Sequence, residues 1–253
     1  MDVTGRTEDD PAAQTLVLNI LRCVSAWKPA PRRQVVYVGD PAGKDYLESC
    51  GFSPVPNEAA SLSADQVLVV GPGGGRKLAG AAIADWLKAG GHLLAVGLDE
   101  QQANTFLPSK VPMKEAEHIS AYFEAPGFNS PFAGVGPADV HSREPRTLPL
   151  ISEGGTIIGD GVLACAKDFN IVFCQLVPWK FNNKEPQNVK RTFRRVSCLL
   201  TRLLGNMGAA GSTPVLERFS LPVDTSKDEN RWLEGLYLDV PQEWDDPYRF
   251  FRW

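Results

Sequence analysis

Three short, unbroken apolar runs set the frame for this chain: Val35-Val36-Tyr37-Val38, Val67-Leu68-Val69-Val70 and Leu93-Leu94-Ala95-Val96. A half-buried strand alternates apolar and polar residues. An unbroken run instead fits a strand covered on both faces, as parallel strands are. Helix-length segments separate the runs. One covers about 42–50 and ends at Gly51. The next reads as a helix over 76–89, with Leu78, Ala82, Ile83, Trp86 and Leu87 on one stripe and Gly90-Gly91 as its stop. Strand–helix–strand alternation implies a parallel sheet with right-handed crossovers, hence an α/β fold. Two later runs, Val162 to Ala166 and Ile171 to Val177, are split only by Lys167-Asp168-Phe169-Asn170. So short a link closes only an antiparallel hairpin, so the sheet is expected to be mixed.

The ends of the chain differ from this middle. Residues 1–10 are polar and acidic and are expected to be disordered, with no apolar stretch of a signal peptide. Residues 11–28 read as a leading helix: Pro11 suits a first helical position, Leu16, Val17, Ile20, Leu21 and Val24 recur at helical spacing, and Pro29 and Pro31 stop it. The core domain is placed at 11–210. Within it, Glu117 to Glu124 reads as a possible strand and 125–147, rich in Pro and Gly, as a long surface excursion. The strongest helical signal is 188–204, where Val189, Phe193, Val196, Leu200, Leu203 and Leu204 form an apolar stripe. Residues 211–253 carry Trp232, Tyr237, Trp244, Tyr248, Phe250, Phe251 and Trp253. An extension this aromatic is expected to dock on the domain or on a partner, because burying each ring is worth about 1.5–3 kcal/mol before entropy costs.

Composition narrows the function classes. The chain has 253 residues, 43% of them hydrophobic, enough for a sizeable core. A formal net charge of -4 argues against a nucleic-acid partner held by bulk electrostatics. No run approaches the length of a membrane span. The five cysteines show no Cys-x-x-Cys spacing and no nearby histidine pair, so neither a zinc site nor any other metal or cofactor is expected; they read as small buried hydrophobes. Compartment stays open.

One glycine turn has binding chemistry. Gly71-Pro72-Gly73-Gly74-Gly75-Arg76 follows a strand, and backbone amides in such a turn can cradle an anion. Asp99 closes the following strand and could face the same ligand. Gly73, Gly74, Gly75 and Asp99 are therefore the candidate site for a carbohydrate or an anion, at the strand ends where open α/β sheets bind ligands. The match to a dinucleotide fingerprint is poor, since Arg76 stands at the third glycine position. His141, near Asp139 and Glu144, is the alternative centre for a hydrolase.

Two further segments carry a family resemblance. Ala95-Val96-Gly97-Leu98-Asp99-Glu100-Gln101 and Cys174-Gln175-Leu176-Val177-Pro178-Trp179 resemble two signatures of class I glutamine amidotransferases, Gly-Ile-Cys-Leu-Gly-x-Gln and Val-Gln-Phe-His-Pro-Glu. The resemblance implies a flavodoxin-like, three-layer α/β/α sandwich. It also implies a vacant triad: Gly97 stands at the nucleophile, Val177 at the base and Trp179 at the acid. None can act in those roles, and residues 92–104 hold no Ser, Thr or Cys. More narrowly, Val172-Phe173-Cys174-Gln175-Leu176-Val177-Pro178-Trp179, Lys190-Arg191-Thr192-Phe193-Arg194-Arg195 and the ending Glu243 to Trp253 resemble the C-terminal region of large bacterial glycoside hydrolases of the β-galactosidase type. There the hydrolytic carboxylates lie in a separate barrel, for which this chain has no room beside its α/β domain. The resemblance implies a non-catalytic accessory domain, with a glycoside hydrolase catalytic domain or a second copy of the chain as partner. A carbohydrate- or anion-binding module and a hydrolase with a relocated site are the alternatives.

Overall fold

The computed structural model describes residues 10–26, 32–56, 62–142, 144–167, 170–181 and 187–209. Of the segment 1–10 expected to be disordered only Asp10 is described, and residues 1–9 and the expected docking of 211–253 lie outside the described residues. The chain divides into two compact units, Met1–Arg32 and Arg33–Trp253. Helix α1, Pro11–Ala26, is the described part of the first. Asp10 caps it, its Oδ1 accepting from the Ala12 amide at 2.9 Å.

The second unit is built on a seven-stranded sheet. Its strands are β1 (Gln34–Val38), β2 (Val55–Pro56), β3 (Gln66–Val70), β4 (His92–Val96), β7 (Thr156–Ile158), β8 (Leu163–Cys165) and β9 (Ile171–Cys174), in the order β2-β1-β3-β4-β9-β8-β7. The pairs β2-β1, β1-β3, β3-β4 and β4-β9 are parallel, and β9-β8 and β8-β7 are antiparallel. The hairpin expected from the four-residue link is therefore present, and the sheet is mixed. The parallel part has the flavodoxin-like order, with its switch point between β1 and β3.

Both faces of the parallel strands are buried, which accounts for their unbroken apolar sequence. One face carries Val35, Tyr37, Val67, Val69, Leu94, Val96, Val172 and Cys174. These pack with Tyr46 and Leu47 of α2 (Pro41–Ser49) and with Val196, Leu199, Leu200 and Leu203 of α5 (Gln187–Asn206). The other carries Val36, Val38, Leu68, Val70, Leu93, Ala95 and Phe173. Against it lie Ile83, Trp86 and Leu87 of α3 (Gly80–Lys88) and Ala103 of α4 (Glu100–Asn104). Successive residues of each strand thus serve opposite layers, which makes three layers.

Several expectations need correction. The helix expected over 76–89 is two elements: a single 3-10 turn at Gly75–Lys77, then α3, with Leu78 and Ala79 extended between them. The strand expected at 117–124 is β5, Met113–His118, and it ends where that reading began. It pairs antiparallel with β6, Arg146–Ile151, in a separate two-stranded sheet, so 125–147 is not wholly loop. Nor is that stretch merely superficial: Phe132, Val135 and Val140 are buried in the same cluster as α5. Three consecutive residues with positive φ, Gly159 (59°), Asp160 (61°) and Gly161 (96°), turn the chain from β7 into β8. A Cβ on Gly161 would overlap the Ile151 backbone, so a glycine is needed there twice over.

Among the described residues, no helix is long and apolar enough to cross a membrane and no group of three His, Cys, Asp or Glu could hold a metal. Three of the five cysteines, Cys50, Cys165 and Cys174, are buried, Cys198 is half-buried and Cys23 is exposed. Burial pushes the Cys174 thiol up to about 12, consistent with an inert hydrophobe.

If the 125–147 stretch is core, Phe132→Ala should cost about 3–5 kcal/mol, the usual loss for emptying a fully buried aromatic site. Urea denaturation measures it. A loss within about 0.5 kcal/mol would return the segment to the surface.

Candidate functional site

The C-terminal strand ends gather the chain's conspicuous glycines. After β1 comes Gly39-Asp40, after β3 Gly71-Pro72-Gly73-Gly74-Gly75, after β4 Gly97-Leu98-Asp99, and after β9 Gln175-Leu176-Val177. The sheet topology makes this the crevice in which such folds hold ligands.

Gly97 and Val177, far apart in sequence, meet here. Gly97 has φ +59°, a left-handed conformation that side chains rarely adopt, and its amide donates to the Cys174 carbonyl at 2.9 Å. A Cβ built on Gly97 would overlap Val177 Cγ2. So the turn is shaped like an elbow, and the volume above it belongs to a valine that is 4% exposed. The adjoining amide of Gln175 is buried. Its Nε2 donates to the Leu98 carbonyl at 3.1 Å, tying the β9 end to the β4 end.

Trp179 sits in the 3-10 turn Pro178–Lys180 and reaches across to β1 and α2. Its indole N–H donates to Asp40 Oδ2 at 3.2 Å. Asp40 Oδ1 accepts from the Tyr37 hydroxyl at 3.1 Å and from the Gly43 amide at 2.8 Å, the latter capping α2. The Trp179 ring lies 6.3 Å from Tyr37, edge-on, and 5.7 Å from Tyr46, which in turn meets Phe193 of α5 at 6.3 Å. These rings fill the crevice. A Cβ on Gly39 or Gly43 would overlap the Tyr37 hydroxyl, and one on Gly71 would come within 2.5 Å of it and 3.2 Å of Trp179. Glycine is required at these positions because aromatic tips occupy the space. Burial, then the Asp40 charge, raises the Tyr37 phenol well above its ordinary value, and burial does the same to Tyr46.

The second candidate set, Gly73, Gly74, Gly75 and Asp99, also comes together, with a partner that sequence reasoning missed. Gln102 of α4 accepts from the Gly73 amide through Oε1 at 2.7 Å. Its Nε2 donates to Asp99 Oδ2 at 2.6 Å, and its own amide donates to Asp99 Oδ1 at 2.7 Å. The Gly74 amide donates to the Gly71 carbonyl at 2.9 Å. Two of the three glycine amides and both Asp99 oxygens are thus engaged within the protein. Gly74 and Gly75 are close-approach glycines, since a Cβ would overlap the carbonyl of Val38 at one and of Gln102 at the other. The signal for Gln102 was legible: Asp-x-x-Gln before a helix is a capping pattern. Gly39-Asp40-Pro41 was likewise a readable start signal for α2.

The alternative centre is His141 with its sequence neighbours Asp139 and Glu144. His141 is half-buried after the 3-10 turn Pro137–Val140. Asp139 pairs with Arg202 of α5 at 3.3 Å, and Glu144 pairs with Arg146 at 2.7 Å. His118 is buried, its Nε2 2.7 Å from the Val140 carbonyl. The ending Glu243 to Trp253 lies outside the described residues.

No family model and no curated protein matches the chain. Among solved structures, it is similar to a chain of the structure of PurLQS from Thermotoga maritima. The two share 12% identity over 70% of this chain and 100% of that one, with a TM-score of 0.45.

Two measurements test the packing of the strand ends. Gly97→Ala should destabilise by about 1–3 kcal/mol, through both the positive φ and the overlap with Val177. Adding Val177→Ala should recover part of that loss, so the double-mutant cycle should show coupling of about 0.5 kcal/mol or more; strict additivity would contradict the contact. The second test is pH. The unfolded chain loses tyrosine protons near pH 10, whereas folded Tyr37 and Tyr46 keep theirs to higher pH. Above about pH 10 the unfolded state binds fewer protons, so stability is complete below that pH and falls as pH rises. Tyr37→Phe should flatten this fall in urea titrations between about pH 9 and pH 11; an unchanged slope would contradict the burial of its hydroxyl.

Proposed function

We propose that this chain is a non-catalytic, amidotransferase-like accessory domain that serves packing or oligomerisation of a carbohydrate-active protein of the β-galactosidase-like glycoside hydrolase type. One observation carries the non-catalytic half of this reading. The elbow turn at Gly97 has no room for a side chain while Val177 stands over it, and neither residue has an ionisable group. Acyl transfer through a thiol needs a nucleophile within hydrogen-bond reach of a base. At these two turns the chain offers a hydrogen atom and an isopropyl group. Trp179, in the third position, directs its N–H to Asp40, so it too is committed to the fold.

The accessory half rests on the resemblance of Val172 to Trp179, Lys190 to Arg195 and Glu243 to Trp253 to the C-terminal regions of such hydrolases. A scaffold gains from a crevice filled with its own aromatic rings, because each buried ring contact adds about 0.5–1.5 kcal/mol beyond its area. An enzyme would need that volume for substrate.

The purified chain should show no glutaminase activity and no esterase activity on small acyl esters, and should elute as a dimer or larger from a sizing column. Turnover of glutamine or an ester that survives repurification would overturn the non-catalytic reading. A strictly monomeric chain that also fails to associate with a glycoside hydrolase barrel encoded beside it would overturn the accessory one.

A further inference from the structure

At the opposite end of the sheet, below the N-terminal end of β4, lies a cavity of about 260 Å³ that no part of the preceding reading uses. It is lined by His92, by the 128–133 segment including Phe128, Asn129 and Ser130, and by Asn206 and Met207 at the C-terminal end of α5. We propose that this cavity binds a single neutral sugar ring.

Among the described residues, no Lys, Arg, Asp or Glu lines the cavity and His92 is its one titratable side chain, so the lining suits a neutral ligand better than a charged one. Its polar groups differ in sense. Asn206 spends both Nδ2 protons on the carbonyls of Pro131 and Ala133, each at 2.9 Å, so what it can offer a ligand is the acceptor Oδ1. The Ser130 hydroxyl oxygen accepts from the Phe132 amide at 3.1 Å, which leaves its O–H and a second lone pair for a ligand. Asn129 is exposed and can do both. Hydroxyl groups on a ligand suit such a set, because each can donate to Asn206 Oδ1 and accept from Ser130 or Asn129.

The remaining wall is apolar. Phe128 is 100% exposed, and Met207 and Pro131 are buried beside it. A fully exposed aromatic ring at the mouth of a polar cavity has no role in the core and is available to stack on a ligand ring. A ring with one apolar face and a hydroxylated rim fits both walls. The volume is slightly below that of pockets for drug-sized ligands, so it admits one ring and not a chain of them. The floor is fixed: Arg33 ties the end of α5 to the start of β1, its Nη1 donating to the Met207 carbonyl at 2.8 Å and its amide to the Gly208 carbonyl at 2.7 Å.

The test is titration of the isotopically labelled full chain with glucose, galactose and mannose, with adenosine as the comparison ligand, followed by backbone amide shifts. At least one sugar should move the amides of His92, Phe128, Asn129 and Asn206, with saturable binding. Phe128→Ala, which removes no core contact, should weaken it at least about tenfold, a change of 1.4 kcal/mol. Asn129→Ala should weaken it in the same direction. No shift at these residues with any of the three sugars would overturn the proposal. So would equal shifts with adenosine, or binding that Phe128→Ala leaves intact. This inference is independent of the accessory-domain reading, which fails on turnover or on assembly and not on these titrations.

Discussion

Burial of the parallel strands on both faces is the constraint from which the rest of this structure follows. In β1, β3, β4 and β9 neighbouring side chains point to opposite helical layers, and nearly all of them are fully enclosed. Such strands leave no lateral position for a charge. Polar chemistry is pushed to the strand ends, where the backbone must turn and its amides need partners. What distinguishes this chain is how it treats those ends. Asp40 collects a hydroxyl, a backbone amide and an indole N–H from three different elements. Gln102 bridges the glycine turn and the α4 cap. Val177 covers Gly97. The Gly73 and Gly74 amides, both Asp99 oxygens and both Asp40 oxygens, groups that a ligand would engage, are engaged by the protein.

That arrangement ties the conformational cost of an elbow turn to its neighbours. A backbone held at φ +59° is inexpensive for glycine and costly for nearly any other residue. With glycine there, the turn keeps its shape with no reactive group to carry. The aromatic rings of Tyr37, Tyr46 and Trp179 then join β1, α2 and the turn after β9 through edge and tilted contacts, and Phe193 extends the chain of rings to α5. A crevice that opens for substrate in a binding protein is here a continuation of the core.

The parts of the fold visible in the sequence are those with strong periodicity. The unbroken runs became β1, β3 and β4, the four-residue link at 167–170 joins antiparallel strands, and the 188–204 stripe lies within α5. The hidden parts have weak patterns for physical reasons. β5 reads Met-Lys-Glu-Ala-Glu-His and buries only His118, so it has no apolar face to detect. β6 contains Pro149, which counts against a strand until it is known to lie in a two-stranded sheet. α4 spans five residues, too few for a helical stripe. Phe132 and Val140 are buried from within a segment whose Gly and Pro content signals surface. At the strand ends, the meeting of Gly97 with Val177 was legible only through the family resemblance, since the two lie in distant segments that no local pattern joins. The Asp40 hub combined a readable helix cap with an indole contact from the far side of the sequence, which no local pattern contains.

The most direct measurement of this closed crevice is hydrogen exchange and NOE contacts of the Trp179 indole N–H. An indole that donates to Asp40 and packs between Tyr37 and Tyr46 exchanges far more slowly than free indole and shows NOEs to both tyrosine rings. Exchange at the free-indole rate, with no NOE to either ring, would mean that the crevice stands open and that its chemistry has to be read anew.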